Sequence, residues 1–517
     1  VVAVVLLLIT LLALGLRLYR LDSQSLWYDE GFSVYLARMD LDEITARTAA
    51  DIQPPLYYYL LHGWIKLFGD IEWTLRSLSV LFGLFTVPLI YAVAWRLFRS
   101  RLAGLLAALL VAVSPLHLWY AQEARMYTLL TFLCLLSSYF LLLLLDAKKW
   151  AIPILWIAYT LTNIAALYTH YFAAFILLSQ ALYLFVVWVA AGGRPLHLVL
   201  GGLASGIVTV LSYLVWLPHL LTRWGADVSY WPGRLKLHEV FVDAAISFVG
   251  GESVSEAVGI LLVLGYGLVF ALCLFALVSQ AARDARQAGV GLLDGLSSSY
   301  RSLLFLFLYL LLPPALILAL SYSAPKFNAR YVMIAHPAFL LILAGGLAAL
   351  WQRRSGLLGN VSRGVLAALA LLFVLGMSAY ADLNAYSDPA FARAEFRGAA
   401  RYVRRHIGPD ETIILVSGHM FPVFDYYAPR VERHLLPDSP TLDTTQTLDY
   451  SIAANLNEWL ADKDGVWLVL WQDEVVDPTG YLTAMLDQVG DEQLIDRAFP
   501  RIELRHYRLP ENAFVSE

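Results

Sequence analysis

Apolar residues in this chain come in long unbroken blocks, not in the short alternations or helical stripes of a water-soluble fold. A bilayer crossing takes roughly 20 apolar residues, and about eleven blocks approach or exceed that length. They run from Val1 to Leu18, Leu75 to Leu97, Leu102 to Leu118, Met126 to Leu145, Trp150 to Leu167 and Tyr171 to Val189. The rest run from Leu198 to Leu217, Ala257 to Val278, Leu303 to Leu320, Tyr331 to Leu350 and Val365 to Tyr380. The first block has no small-residue cleavage site before Arg17 and reads as a retained span, not a signal peptide.

Two gaps between blocks are too long for turns, residues 19–74 and 218–256. In the first, Gly31 to Met39 and Leu56 to Phe68 are amphipathic and suit helices lying in the membrane interface. After Asp382 the pattern changes. Phe391 to His406 has helical spacing with an arginine-rich face, and Tyr481 to Val489 reads as a second helix. Thr412 to Val416, Val466 to Trp471 and Ile502 to Arg508 read as strands. The chain therefore divides into a polytopic α-helical membrane domain, residues 1–381, and a small soluble α/β domain, residues 382–517, without a glycine-rich phosphate loop.

Composition agrees: 59% of residues are hydrophobic and 15% charged, which excludes an ordinary soluble globule. A net charge of −5 does not suit a nucleic-acid partner. The only cysteines, Cys134 and Cys273, lie in apolar blocks, so neither a disulfide framework nor metal-type spacing is present. Loop charge sets an orientation. With the N-terminus in the cytoplasm, that side receives Arg99, Arg101, Lys148, Lys149, Arg194, Arg283, Arg286, Arg301, Arg353, Arg354 and Arg363. The acidic first loop and the C-terminal domain then face out, in a multi-pass protein of the plasma (inner) membrane.

The candidate chemistry lies on that outer side. Asp29 and Glu30 form a carboxylate pair beside Trp27 and Tyr28, just beyond the first span. Desolvating them is costly without a partner or a task. Asp29 can serve as general base; the plainer reading is a solvated loop with interfacial aromatics. Asp51 precedes Pro54-Pro55 and a tyrosine-rich segment with Tyr57, which marks either a rigidly held acid or simply a helix start. Glu123 and Arg125 share a tight outer loop, where the arginine either binds phosphate or clasps the glutamate. Lys326, Arg330 and Tyr331 form a basic outer loop against the charge trend, fit for an anionic ligand or for lipid headgroups. His170 is a weaker candidate of the same face. Acids in the first outer loop with cations in later ones imply one outer cleft, with a base at one end and a phosphate clamp at the other.

With these motifs in this order, the chain resembles the GT-C superfamily of membrane glycosyltransferases. It looks closest to the bacterial protein O-mannosyltransferase and aminoarabinose-transferase group, glycosyltransferase family 39-like. The resemblance runs from Ser25 to the Arg330-Tyr331 loop. It implies a catalytic base at Asp29, followed by Glu30, and a second acid at Asp51 before the diproline. It also implies an arginine at Arg125 and a carrier-phosphate loop at Lys326 and Arg330. The protein mannosyltransferases usually carry His before the diproline, where this chain has Gln53. That departure argues against a protein acceptor of their kind.

The resemblance implies a glycosyltransferase that moves one sugar from a polyprenyl-phosphate donor to an acceptor hydroxyl by inverting direct displacement. Asp29 takes the proton, Glu30 and Asp51 orient, and Arg125, Lys326 and Arg330 stabilise the leaving phosphate. No metal is required by that chemistry, and a divalent ion on Asp29, Glu30 and Asp51 stays open, as in the oligosaccharyltransferases. Partners are the donor, the bilayer and an acceptor that is protein, lipid or polysaccharide. Two rival functions remain: a lipid-linked sugar flippase or transporter, and a glycan polymerase or ligase using a lipid-pyrophosphate donor.

Overall fold

The computed structural model describes residues 1–51, 53–193, 196–223, 236–287, 298–323, 327–352, 360–439, 446–449, 451–510 and 514. Among these residues, nine helices are long and apolar enough to cross a membrane. A tenth crossing is the pair Arg101–Ala112 and Pro115–Ala121, bent by 54°. Val2–Leu18, with 17 residues, is a shorter apolar helix. Each of the eleven apolar blocks thus corresponds to a helix, with two of them short or broken.

The break in that pair has a local cause. Ser114 accepts from the His117 N–H and caps the second helix, which starts on Pro115. The carbonyls released at the end of the first helix, on Val111 and Ala112, are met by the buried guanidinium of Arg17 at 3.1 and 3.0 Å. A charged side chain in the first span is thereby used as a helix cap. The bend brings Glu123 and Arg125 to the end of the bundle that carries the first-loop helices.

The span Ala329–Gln352 is buried along its whole apolar window and forms the central column. A side chain on Gly346 would stand 2.2 Å from the Cβ of Cys273, so glycine lets the span Glu256–Gln287 approach. A knot of amides and hydroxyls ties three further spans. Ser137 donates to Asn163 and Gln180, Tyr159 donates to Gln180 at 2.9 Å, and Gln180 donates to Ser138 at 3.0 Å. The far ends of the helices are marked by Arg96 and Arg99 on Asp146, at 2.6 and 3.3 Å.

The first loop folds as three helices, Tyr28–Ala37, Leu41–Ala50 and Leu56–Phe68. The soluble domain is a five-stranded sheet: β1 Glu411–Val416, β2 Arg433–Leu436, β3 Gly465–Leu470, β4 Asp491–Gln493 and β5 Glu503–Arg508. The strand order is β2-β1-β3-β5-β4, with β2, β1 and β3 parallel and β5 antiparallel to both of its neighbours. Strands β1 and β3 are apolar on both faces because both faces are covered. Ile413, Leu415, Trp467 and Val469 join the core that continues into the membrane domain. Ile414, Val416, Leu468 and Leu470 pack under the helices Ile452–Leu460 and Tyr481–Val489.

The two domains meet tightly. A Cβ on Gly31 would lie 2.4 Å from that of Val423, so a larger residue would push the helix Phe421–Tyr427 off the first loop. Arg397 binds Glu72 and the Asp22 and Ser23 carbonyls, and Tyr427 donates to Glu72.

Candidate active site

The helix Tyr28–Ala37 carries Asp29 and Glu30 in its first turn, where free backbone N–H groups favour carboxylates. Successive residues diverge on a helix, and these two carboxylates have different surroundings. Glu30 is 0% exposed. Arg76 grips it with two bonds of 2.7 Å, Arg393 adds one of 3.0 Å, and the Ala124 N–H one of 2.9 Å. Burial opposes its charge, but Arg76 and Arg393 outweigh this and hold the carboxyl below the usual range. Its position is that of a keystone joining the first loop, the Glu123 loop and the soluble domain.

Asp29 meets a different pair of arginines. Arg330 Nη1 lies 2.6 Å from its Oδ2, and Arg125 Nε lies 3.9 Å away. Burial works against the charge, but Arg125 and Arg330 overcome it and depress the carboxyl. Arg330 is itself surrounded by aromatic faces, with Tyr127, Tyr331 and Trp27 at 5.4, 5.8 and 6.0 Å. Arg125 Nη1 reaches the Asp29 carbonyl, Ser33 and Tyr58, each at 3.4 Å. Of the two readings that Arg125 allows, a clasp on the Glu123 carboxylate does not appear among the described ion pairs; the arginine faces Asp29.

Glu123 is 1% exposed, and its Oε2 has no hydrogen-bond partner. Burial, partly offset by Arg393, pushes its carboxyl up to about 7. Asp51 closes the helix Leu41–Ala50. Burial pushes the Tyr58 phenol up to about 12, with Asp51 and Asp29 adding to this and Arg125 opposing it, so Asp51 stands on the same side of the site. The diproline starts the helix Leu56–Phe68, as its rigidity requires. Tyr57 on that helix points into the core against Ser79, 3.2 Å away, and supports the site from behind. His170 is buried, with its ring 6.0 Å from Tyr331. Its Nδ1 accepts from the Phe172 N–H, and burial beside Arg125 and Arg330 drives it down to about 3. It is therefore a neutral ring with Nε2–H as its donor. Lys326 lies outside the described residues.

Of the residues singled out from the sequence, Glu123 and Arg330 line a cavity of about 740 Å³ between the two domains. Asp29, Glu30, Asp51, Arg125, Tyr57, Tyr331 and His170 are not among its lining residues; Asp29 stands behind Arg330. Trp27, Trp119, Glu123, Asn328 and Arg330 line the cavity from the membrane domain, and Arg393, Trp471, Asp473 and Glu474 from the soluble domain. Several of the residues that shape the site were not singled out from the sequence. Arg76 had a visible signal, a lone cation at the head of an apolar block, and so had Arg393 on an arginine-rich face. Glu252, which accepts from Tyr120 at 2.9 Å, had none beyond its long loop. Among the described residues no three His, Cys, Asp or Glu side chains group as metal ligands. Both Glu30 oxygens are held by arginines, so a joint ion site with Asp29 and Asp51 does not fit this arrangement.

Comparison with known proteins supports the same architecture. ArnT from Cupriavidus metallidurans, in its apo state, superposes with a TM-score of 0.60 at 15% identity over 97% of both chains. Its structure bound to undecaprenyl phosphate gives 0.58 at 15% identity over the same shares. The chain has the GT-C fold. A second GT-C structure, the oligosaccharyltransferase AglB from Archaeoglobus fulgidus, matches with a TM-score of 0.59 at 12% identity, over 98% of this chain and 74% of that one. In sequence, residues 52–216 match the family described as dolichyl-phosphate-mannose-protein mannosyltransferase. That segment of the GT-C domain includes Glu123 and Arg125 and leaves out Asp29 and Arg330. No curated protein sequence matches the chain.

Proposed function

We propose that this GT-C protein transfers a single sugar from a polyprenyl-phosphate donor to an acceptor hydroxyl at the outer face of the plasma membrane. The observation that carries the reading is Arg330, which lines the cavity and at the same time holds Asp29 at 2.6 Å. A guanidinium fork matches two phosphate oxygens. A carrier phosphate that takes Arg330 therefore competes with Asp29, and the carboxylate it frees regains basicity. The similar ArnT structure with undecaprenyl phosphate favours a carrier of that class, and the description of the matching family favours a phosphate-linked sugar.

In this mechanism the acceptor O–H gives its proton to a carboxylate while the oxygen attacks the anomeric carbon. The bond from that carbon to the phosphate oxygen breaks, and the electron pair leaves with the polyprenyl phosphate. Attack opposite the leaving group inverts the anomeric centre. Arg330 and Arg125 stabilise the developing phosphate charge, a role that the family resemblance extends to Lys326. Asp29 is the base in this reading, and Asp51 orients. Glu30 serves by holding the site together.

One observation favours a second reading of the base. Glu123 lines the cavity with an unpartnered oxygen, and its proton affinity near pH 7 suits general base work better than a carboxyl depressed by two arginines.

The test is equilibrium binding of polyprenyl phosphate to the purified chain in nanodiscs. A charge-assisted contact is worth about 1.5–3 kcal/mol, so Arg330→Ala should weaken binding about ten- to a hundredfold. Arg330→Lys should recover part of the loss, since it restores charge without the fork. Unchanged affinity in both variants would remove Arg330 from the donor site.

A further inference from the structure

The soluble domain presents the carboxyl edge of its parallel strands to the cavity, the edge at which open α/β sheets bind ligands. Both strand ends turn sharply there. Ser417, after β1, has φ 68°, and Gln472, just past β3, has φ 52°, a left-handed region that is costly for a side-chain-bearing residue. The Ser417 hydroxyl bonds the Gln472 carbonyl at 3.3 Å and ties the two turns together. These turns set Trp471 against the first loop, with its ring 5.7 Å from Tyr28, and place Asp473 and Glu474 in the cavity wall.

The wall is unusual in its charge. Five carboxylates line the cavity: Glu123, Glu252, Asp473, Glu474 and Glu503. Glu503 is paired with Arg505, whereas Asp473 and Glu474 have no ion pair among the described residues. Of the three arginines that line the cavity, Arg393 is held on Glu30 and Arg501 on the Ala390 carbonyl, while Arg330, on Asp29, is the group assigned above to the donor phosphate. Apart from the charge it adds to this wall, Glu123 is 1% exposed and presents an oxygen with no donor among the described residues. In its ionised form such an oxygen calls for a donor that the described protein groups do not supply.

We infer that Trp471, Asp473 and Glu474, facing Trp119 and Glu123, form an acceptor subsite for a saccharide that is uncharged or positively charged. The word acceptor rests on the transfer reading above; the binding chemistry does not. Ionised carboxylates only accept hydrogen bonds, and a sugar offers several adjacent O–H donors. Trp471, 9% exposed and packed on Tyr28, Phe396 and His419, fixes the wall that carries the two acids. Trp119, half-buried with Arg393 over its ring at 5.2 Å, supplies the aromatic surface for the polarised C–H groups of a sugar ring. A phosphorylated or uronic-acid acceptor would instead meet like charge on most of the wall.

Ligand-observed NMR on the full chain in nanodiscs tests this. The probes are neutral oligosaccharides, amino-sugar oligosaccharides, their phosphorylated counterparts and a serine-rich peptide. Neutral or amino-sugar probes should bind, and the Asp473→Asn/Glu474→Gln double variant should weaken them by at least about tenfold while polyprenyl phosphate still binds normally. The inference is overturned if no saccharide binds at millimolar concentration, if phosphorylated probes or the peptide bind better, or if the double variant changes nothing. Normal polyprenyl-phosphate binding with no saccharide binding would remove the subsite and leave the donor reading intact. Saccharide binding without any carrier binding would do the reverse.

Discussion

Arg330 Nη1 lies 2.6 Å from Asp29 Oδ2, joining residues 301 positions apart in the chain. This contact links the loop that begins the central span to the first turn of the first-loop helix. It also makes Asp29 and a carrier phosphate compete for the same guanidinium.

Two carboxylates could take the proton, and they differ in pH behaviour. If Asp29 is the base, Asp29→Asn lowers turnover by at least about a hundredfold with donor affinity retained. Its carboxyl is depressed by Arg125 and Arg330, and release toward the ordinary Asp range on donor binding still leaves it ionised, so wild-type turnover is then flat from about pH 6 to 8. If Glu123 is the base, turnover rises with pH through about 7, where its carboxyl loses its proton, and Glu123→Gln abolishes that rise. Turnover against pH for the wild type and both variants separates the two, and near-normal rates in both variants would remove both residues from the role.

Glu30 gives a stability prediction. Replacing it with Gln leaves Arg76 and Arg393 without their carboxylate in a buried site, at a cost of about 3–5 kcal/mol. Because the folded-state carboxyl is depressed, its contribution is present above the ordinary Glu range and is lost as pH falls through and below it. Thermal unfolding in detergent should show a lower midpoint for Glu30→Gln at pH 7, and a smaller gap from wild type in acid. An unchanged midpoint at pH 7 would show that the keystone is dispensable.

Docking of the soluble domain depends on Gly31, which faces Val423 at a distance that admits no side chain. Gly31→Val should separate the Phe421–Tyr427 helix from the first loop and expose the Arg397 contacts to protease. Limited proteolysis should cut between residues 388 and 397 in Gly31→Val and leave the wild type intact. Equal resistance of the two proteins would show that the interface can shift to accept the methyl groups.

Orientation is open to direct test, because both native cysteines are buried. Single cysteines at Asn328 and Asp473 should react with an impermeant thiol reagent on whole cells, and cysteines at Lys148 and Arg286 should not. Labelling of the second pair would invert the topology.

Much of this was legible in the residues. The apolar blocks, two of the three first-loop helices and three of the five strands follow from pattern, since burial on one or both faces dictates it. Asp29, Arg125 and Arg330 were visible as charges where charges are costly. What the pattern could not show is pairing. Asp29 and Glu30 look equivalent in sequence, and only the 100° turn between neighbours on a helix sends one to the Arg330 side and the other to Arg76 and Arg393. Strands β2 and β4 are short and polar, so they carry no alternation to read. Trp471, Asp473 and Glu474 sit in an ordinary-looking acidic turn, and their place in a cavity wall depends on how the two domains dock.

The central claim is sugar transfer from a polyprenyl-phosphate donor, and its most direct test is mass spectrometry of carrier lipids. Cells lacking the protein should be compared with cells carrying the wild type, Arg330→Ala or the Asp29→Asn/Glu123→Gln double variant. The account predicts that one carrier-linked monosaccharide accumulates in the deletion strain and with both mutant forms, and returns to its basal level with the wild type. An unchanged profile of carrier-linked sugars across all four strains would contradict it.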